Sequence, residues 1–189
     1  NPSHYLDVAE MTLAVAIAVD WVGEALPKAT IDLAKTSLIE KGIKPSYPQN
    51  EIPGWVNGTN NWNQVCNGGM IAASIIIADR DPELAAKTIS RSLAGMPNAL
   101  KQYGPDGLYP EGATYWGYGT SFSVITSSML MTAFETDFGI SSYPAFIKSA
   151  DFRLLSVAPS GWFYNFADCG DQADSSGDVT LAWFAKQTS

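Results

Sequence analysis

Apolar residues in this chain recur mostly at the three- and four-residue spacing of helices, and one stretch alternates as a strand does. Residues 4–25 carry Ala, Leu, Ile and Val on nearly every face, which predicts a buried helix. Its longest apolar run, Met11 to Val19, is bracketed by Asp7, Glu10, Asp20 and Glu24. That run is far short of the roughly 20 residues a bilayer span needs, so no membrane insertion is expected. A second helix is predicted over 28–41, with Ile31, Ala34, Leu38 and Ile39 on one face and Gly42 as its stop. A third covers 63–78. The fourth has Asp81 as N-cap, Pro82 at its first position and Glu83 in its first turn; it runs to about residue 103 with a kink near Pro97. A fifth covers 115–136, a weaker sixth 145–154, and a short last helix 178–186. Within 160–168, Trp162, Tyr164 and Phe166 alternate, which predicts a short extended segment near the C-terminus. The fold class expected is all-α, in a single domain or fragment over 1–189.

Connections in this pattern alternate in length. Those after the first and third helices are tight turns at Leu26-Pro27 and Arg80. Those after the second and fourth, 43–61 and 104–114, are long and rich in Pro, Gly, Trp and Asn. Successive antiparallel helices reverse direction, so both long loops are expected at one end of the bundle. Long loops in a compact domain are usually functional. The helical hairpins repeat at about 50 residues, a period that suggests an array or an incomplete (α/α) toroid.

Each long loop ends in a polar-aromatic cluster. The first is Asn60-Asn61-Trp62-Asn63-Gln64-Val65-Cys66-Asn67-Gly68-Gly69, and the second is Tyr115-Trp116-Gly117-Tyr118-Gly119-Thr120. Amides bind oxygens without carrying charge, flat rings stack on sugars, and a phenol can move a proton. Such a set suits a polyhydroxylated, carboxylated substrate. Capping of the third helix explains one Asn of three. Trp62, Tyr115 and Trp116 are also open to a core role, and Gly68-Gly69 to close helix packing.

Charge narrows the partners. The net charge of −8 leaves no basic stripe for nucleic acid. None of the eleven Lys and Arg residues lies between Pro45 and Asp79 or between Gln102 and Ile147, the stretches that hold both clusters. Cys66 and Cys169 fit two unpaired buried thiols better than a disulfide. Asp168, Asp171 and Asp174 lack the Gly and terminal Glu of a calcium loop, so no metal and no cofactor is expected.

Four segments in order, His4-Tyr5-Leu6-Asp7-Val8-Ala9-Glu10-Met11, Asn60 to Gly69, Tyr109-Pro110-Glu111-Gly112 with Tyr115 to Thr120, and Asn165-Phe166-Ala167-Asp168, resemble the helical domain of heparinase II/III-like polysaccharide lyases. The resemblance implies an incomplete (α/α) toroid, with β-domains of the same full-length protein following beyond this chain. It implies β-elimination on a uronic-acid-containing polysaccharide: a base takes the C5 proton, and an acid protonates the departing 4-oxygen. Position by position, Tyr118 matches the acid/base tyrosine and Asn61 the asparagine that holds the uronate carboxylate. Asn60, Trp62, Asn63, Tyr115, Trp116 and Glu111 stand where they would contact the acidic polysaccharide or oligosaccharide. Bacterial periplasmic or secreted localisation is implied too. The chain departs from the pattern after Asn61, where several branches place a histidine and this one has Trp62 and Asn63; its one histidine is His4.

Two other classes stay open. A toroid glycoside hydrolase would use a carboxylate pair drawn from Asp106, Glu111, Asp168 and Asp171, at roughly 5 to 9.5 Å separation. A non-catalytic carbohydrate-binding module would need only the rings. Fold likeness does not choose among the three.

Overall fold

The computed structural model describes residues 4–172 and 179–188. These are mostly helical, with no strand or sheet among the described residues, so the all-α class holds. They form two compact units, Asn1–Gly58 with Trp62–Met96 and Thr59–Asn61 with Pro97–Ser189.

In the first unit, α1 (Leu6–Val22) buries Ala9, Thr12, Leu13 and Ala16. α2 (Lys28–Ser37) does not stop at Gly42. It widens into a π-helical turn over Leu38–Ile43 that buries Leu38, Gly42 and Ile43 together, then tightens over Lys44–Ser46. Gly42 serves contact rather than termination: a Cβ there would stand 2.9 Å from Thr12 Oγ1. Its carbonyl also accepts the Tyr5 hydroxyl at 2.5 Å. Desolvation by burial pushes the Tyr5 phenol up to about 12.

α3 (Asn61–Ile77) starts two residues before the predicted position. It is buried on nearly every side: Val65, Met70, Ile71, Ala73 and Ile77 are sealed, and so are the polar Asn63, Gln64, Asn67 and Ser74. Gly69 lets it meet α1 backbone to backbone, since a Cβ there would lie 2.5 Å from the Ala9 carbonyl oxygen. α4 (Pro82–Gly95) opens as expected, with Asp81 Oδ1 accepting the Leu84 N–H at 3.0 Å. It ends at Gly95 rather than continuing to residue 103.

The second unit takes up the chain at α5 (Pro97–Leu100), a single turn, followed by a 3₁₀ turn over Lys101–Tyr103. Proline has no N–H to give a preceding carbonyl, which separates this turn from α4. α6 (Gly112–Phe134) begins three residues before the predicted 115. It packs with α7 (Pro144–Leu155) and α8 (Val179–Thr188). Their shared core is Trp116, Phe146 and Phe184, with ring centroids 5.3 to 5.9 Å apart. α6 stops at Glu135 in the left-handed region, φ 59°. Buried Asp137 then ties the next turn to α6, accepting from Gly139 N–H at 3.0 Å and from Ser141 N–H and the Ser127 hydroxyl, each at 2.8 Å. Between α7 and α8 the chain makes isolated bridges, Val157 with Phe163 and Trp162 with Gln172, not a strand.

Candidate functional site

Asn61 and Glu111 both belong to the second unit, each at the start of a helix. Asn61 is the first residue of α3, and Glu111 is the residue from which α6 springs. Asn61 Nδ2 donates to Glu111 Oε2 at 2.8 Å. Asn61 is only 2% exposed, and its Oδ1 is buried with no hydrogen-bond partner. A buried amide oxygen left unsatisfied costs about 1–3 kcal/mol, so this corner has capacity for a donor. Glu111 is half-buried.

α6 carries the second cluster on two faces. Tyr115, Tyr118 and Phe122, spaced three and four residues apart, form one partly exposed stripe; Glu111, also partly exposed, precedes it as the residue before the helix. Tyr118 and Phe122 meet edge to face at 5.7 Å. Trp116 and Thr120 fall on the opposite face and are sealed in the core. Trp116 Nε1 donates to Ser149 Oγ at 2.9 Å, so this ring is a core residue and not a contact surface. Tyr118 lies about two helical turns beyond Glu111, roughly 10 Å along the axis.

Gly112 holds this corner together. Its φ is +83°, and a Cβ there would stand 2.5 Å from Cys169 Cβ. Cys169 Sγ in turn receives the Thr114 N–H at 3.4 Å. Cys66 and Cys169 are both free and buried. Burial pushes the Cys66 thiol up, which keeps it protonated and inert. Tyr109 is also raised by burial, so it is a packed phenol rather than a proton carrier.

The remaining expected residues separate. Asn60 is exposed in the second unit. Trp62 and Asn63 belong to the first unit. Trp62 meets His4 edge-on at 4.9 Å. Asn63 points inward: its Nδ2 reaches the carbonyls of Val56 at 2.9 Å, Gly95 at 3.1 Å and Trp55 at 3.3 Å. It is a strut of that unit, although its Oδ1, like that of Asn61, is buried without a partner. Composition does not distinguish Asn61 from Asn63; their Nδ2 partners do.

A shallow apolar groove of about 320 Å³ lies in the first unit, lined by Met11, Thr12, Val15 and Lys41 among others; no expected site residue lines it. Among the described residues no group of three or more His, Cys, Asp or Glu gathers as a metal site, and no helix is long and apolar enough to cross a membrane. Asp174 lies outside the described residues. No family model and no curated protein matches this sequence.

Proposed function

We propose that this chain is the helical domain of a polysaccharide lyase that cleaves a uronic-acid-containing polysaccharide by β-elimination, built as an incomplete (α/α) toroid and completed by β-domains of the same protein. The observation that supports the proposal is the Asn61–Glu111 hydrogen bond, which brings Asn61 to the residue before α6, the helix that bears Tyr118. The β-elimination chemistry itself comes from the motif resemblance.

The chemistry follows from the groups available. The C5 proton of a uronate is weakly acidic because the carbanion it leaves is stabilised by the adjacent carboxylate. An amide N–H aimed at that carboxylate takes up the developing second charge, and removing such a donor typically costs 10²–10³ in rate. Asn61 has two amide hydrogens. One holds Glu111, and the second serves the substrate carboxylate. Tyr118, in its ionised form, takes the C5 proton and passes it to the departing 4-oxygen as the C4–O bond breaks and the C4=C5 bond forms, so the phenol ends as it began. No Lys or Arg occurs between Gln102 and Ile147, so the charge is met there by neutral donors or by cations from elsewhere. A periplasmic or secreted location accompanies this proposal.

The experiment is a screen of full-length protein on heparin, heparan, alginate, chondroitin and hyaluronan, followed by ultraviolet absorbance. Elimination leaves an unsaturated, absorbing ring; hydrolysis through Glu111 and a second carboxyl leaves none.

A further inference from the structure

We propose a glycan-stacking subsite on the segment between α7 and α8, with Trp162 and Tyr164 as its platform and Gln172 at its edge. It rests on the carbohydrate part of the function proposed above, not on the elimination chemistry.

The segment is an irregular stretch held in extended form from both sides. Phe163 N–H donates to the Asp171 carbonyl at 2.8 Å, and Tyr164 N–H to the Ser156 carbonyl at 2.9 Å. Phe163 bridges to Val157 and Trp162 to Gln172. Phe163 is buried beneath the Arg153 guanidinium, 4.7 Å from its ring centre. In extended backbone, successive side chains point to opposite faces. Burying Phe163 therefore turns its two neighbours outward together. Trp162 is 53% exposed and Tyr164 59%. Side chains two apart on one face stand roughly 7 Å from each other, a spacing that lets two rings contact successive parts of one sugar chain.

Several features favour a sugar over a protein partner. Exposed Asn165, Asp171 and Gln172 lie on the same segment as the rings. Gln172 stands directly across from Trp162, where an amide beside a ring face can bond hydroxyls while the ring covers C–H groups. The segment is also fastened to the candidate site. Gly170 N–H donates to Thr114 Oγ1 at 3.1 Å, in the first turn of α6. A Cβ on Gly112, next to Glu111, would lie 3.2 Å from the Phe166 carbonyl. A chain engaged at Asn61 and Glu111 has this platform within the same unit.

The test is isothermal titration of this 189-residue chain with hexasaccharides of alginate, hyaluronan, chondroitin and heparan. Wild type, Trp162→Ala, Tyr164→Ala and Trp21→Ala are compared, each checked for helical content by circular dichroism; Trp21 is an exposed ring of the first unit. At least one hexasaccharide should bind. Trp162→Ala and Tyr164→Ala should each weaken it about tenfold, the scale of one lost ring contact, and Trp21→Ala should bind like wild type. Binding by both Ala variants at wild-type strength overturns the subsite, and so does the absence of binding by any of the four. Ring-dependent binding without an absorbing product from full-length protein keeps the subsite and removes the lyase assignment.

Discussion

Asn61 donates its amide to Glu111 across fifty residues of sequence, at 2.8 Å. The bond fixes the first residue of α3 to the residue before α6. If it only braced these helix starts, Asn61→Ala would cost about 1–3 kcal/mol, through a lost charge-assisted bond, and leave turnover of the folded protein intact. Under the lyase proposal, Asn61→Ala in the full-length enzyme lowers kcat by about 10²–10³ as well. Steady-state kinetics alongside urea unfolding separates the two.

Tyr118 sits on the half-exposed stripe of α6, two turns from Glu111. Tyr118→Phe keeps the ring and removes the hydroxyl. The expected loss in kcat is about 10²–10⁴ with KM little changed, the range of a positioned acid or base. Near-normal turnover on a confirmed substrate would show that another group carries the proton.

Two glycines of α6 give opposite expectations. Gly112→Ala forces a side chain into positive φ and against Cys169, and should cost roughly 1–3 kcal/mol. Gly117 has open space around its missing Cβ in the body of the helix, and Gly117→Ala should stabilise by about 0.5–1 kcal/mol. Thermal or urea unfolding of the two variants checks the sign of each.

Asp137 sets a pH dependence. Burial pushes its carboxyl up, but hydrogen bonds from Ser141, Ser127 and Gly139 outweigh this and hold it below the ordinary carboxylate range. A depressed folded-state value means its stabilisation is full above the ordinary range and is lost as pH falls through the folded one. Asp137→Asn should therefore destabilise by about 1.5–3 kcal/mol at pH 7. The gap between variant and wild type should narrow as the medium is acidified below the carboxylate range. A gap that stays constant would mean the charge contributes nothing.

Helices were legible wherever the local sequence is self-sufficient. The Asp81-Pro82 start is one case, because cap, proline and first bonded N–H lie within four residues. The second cluster was harder. Tyr115, Trp116 and Tyr118 are all aromatic, so composition alone does not phase them; one residue of helix rotation sends Trp116 to the core and leaves Tyr115 at the surface. Gly42 shows the same limit. A glycine ends a helix or admits a neighbour, and Thr12, thirty residues earlier, decides which. Among the asparagines, burial of Asn63 depends on carbonyls of Trp55, Val56 and Gly95 that no local pattern announces. The aromatic alternation at Trp162, Tyr164 and Phe166 was visible, but its exposure follows from Phe163 being the buried member.

The most direct test of the lyase proposal is the ultraviolet absorbance of full-length protein acting on the uronate polysaccharide panel, recorded beside the appearance of reducing ends. The expected result is absorbance rising in step with chain cleavage on at least one polysaccharide. Chain cleavage with no rise in absorbance would contradict elimination and assign hydrolysis instead.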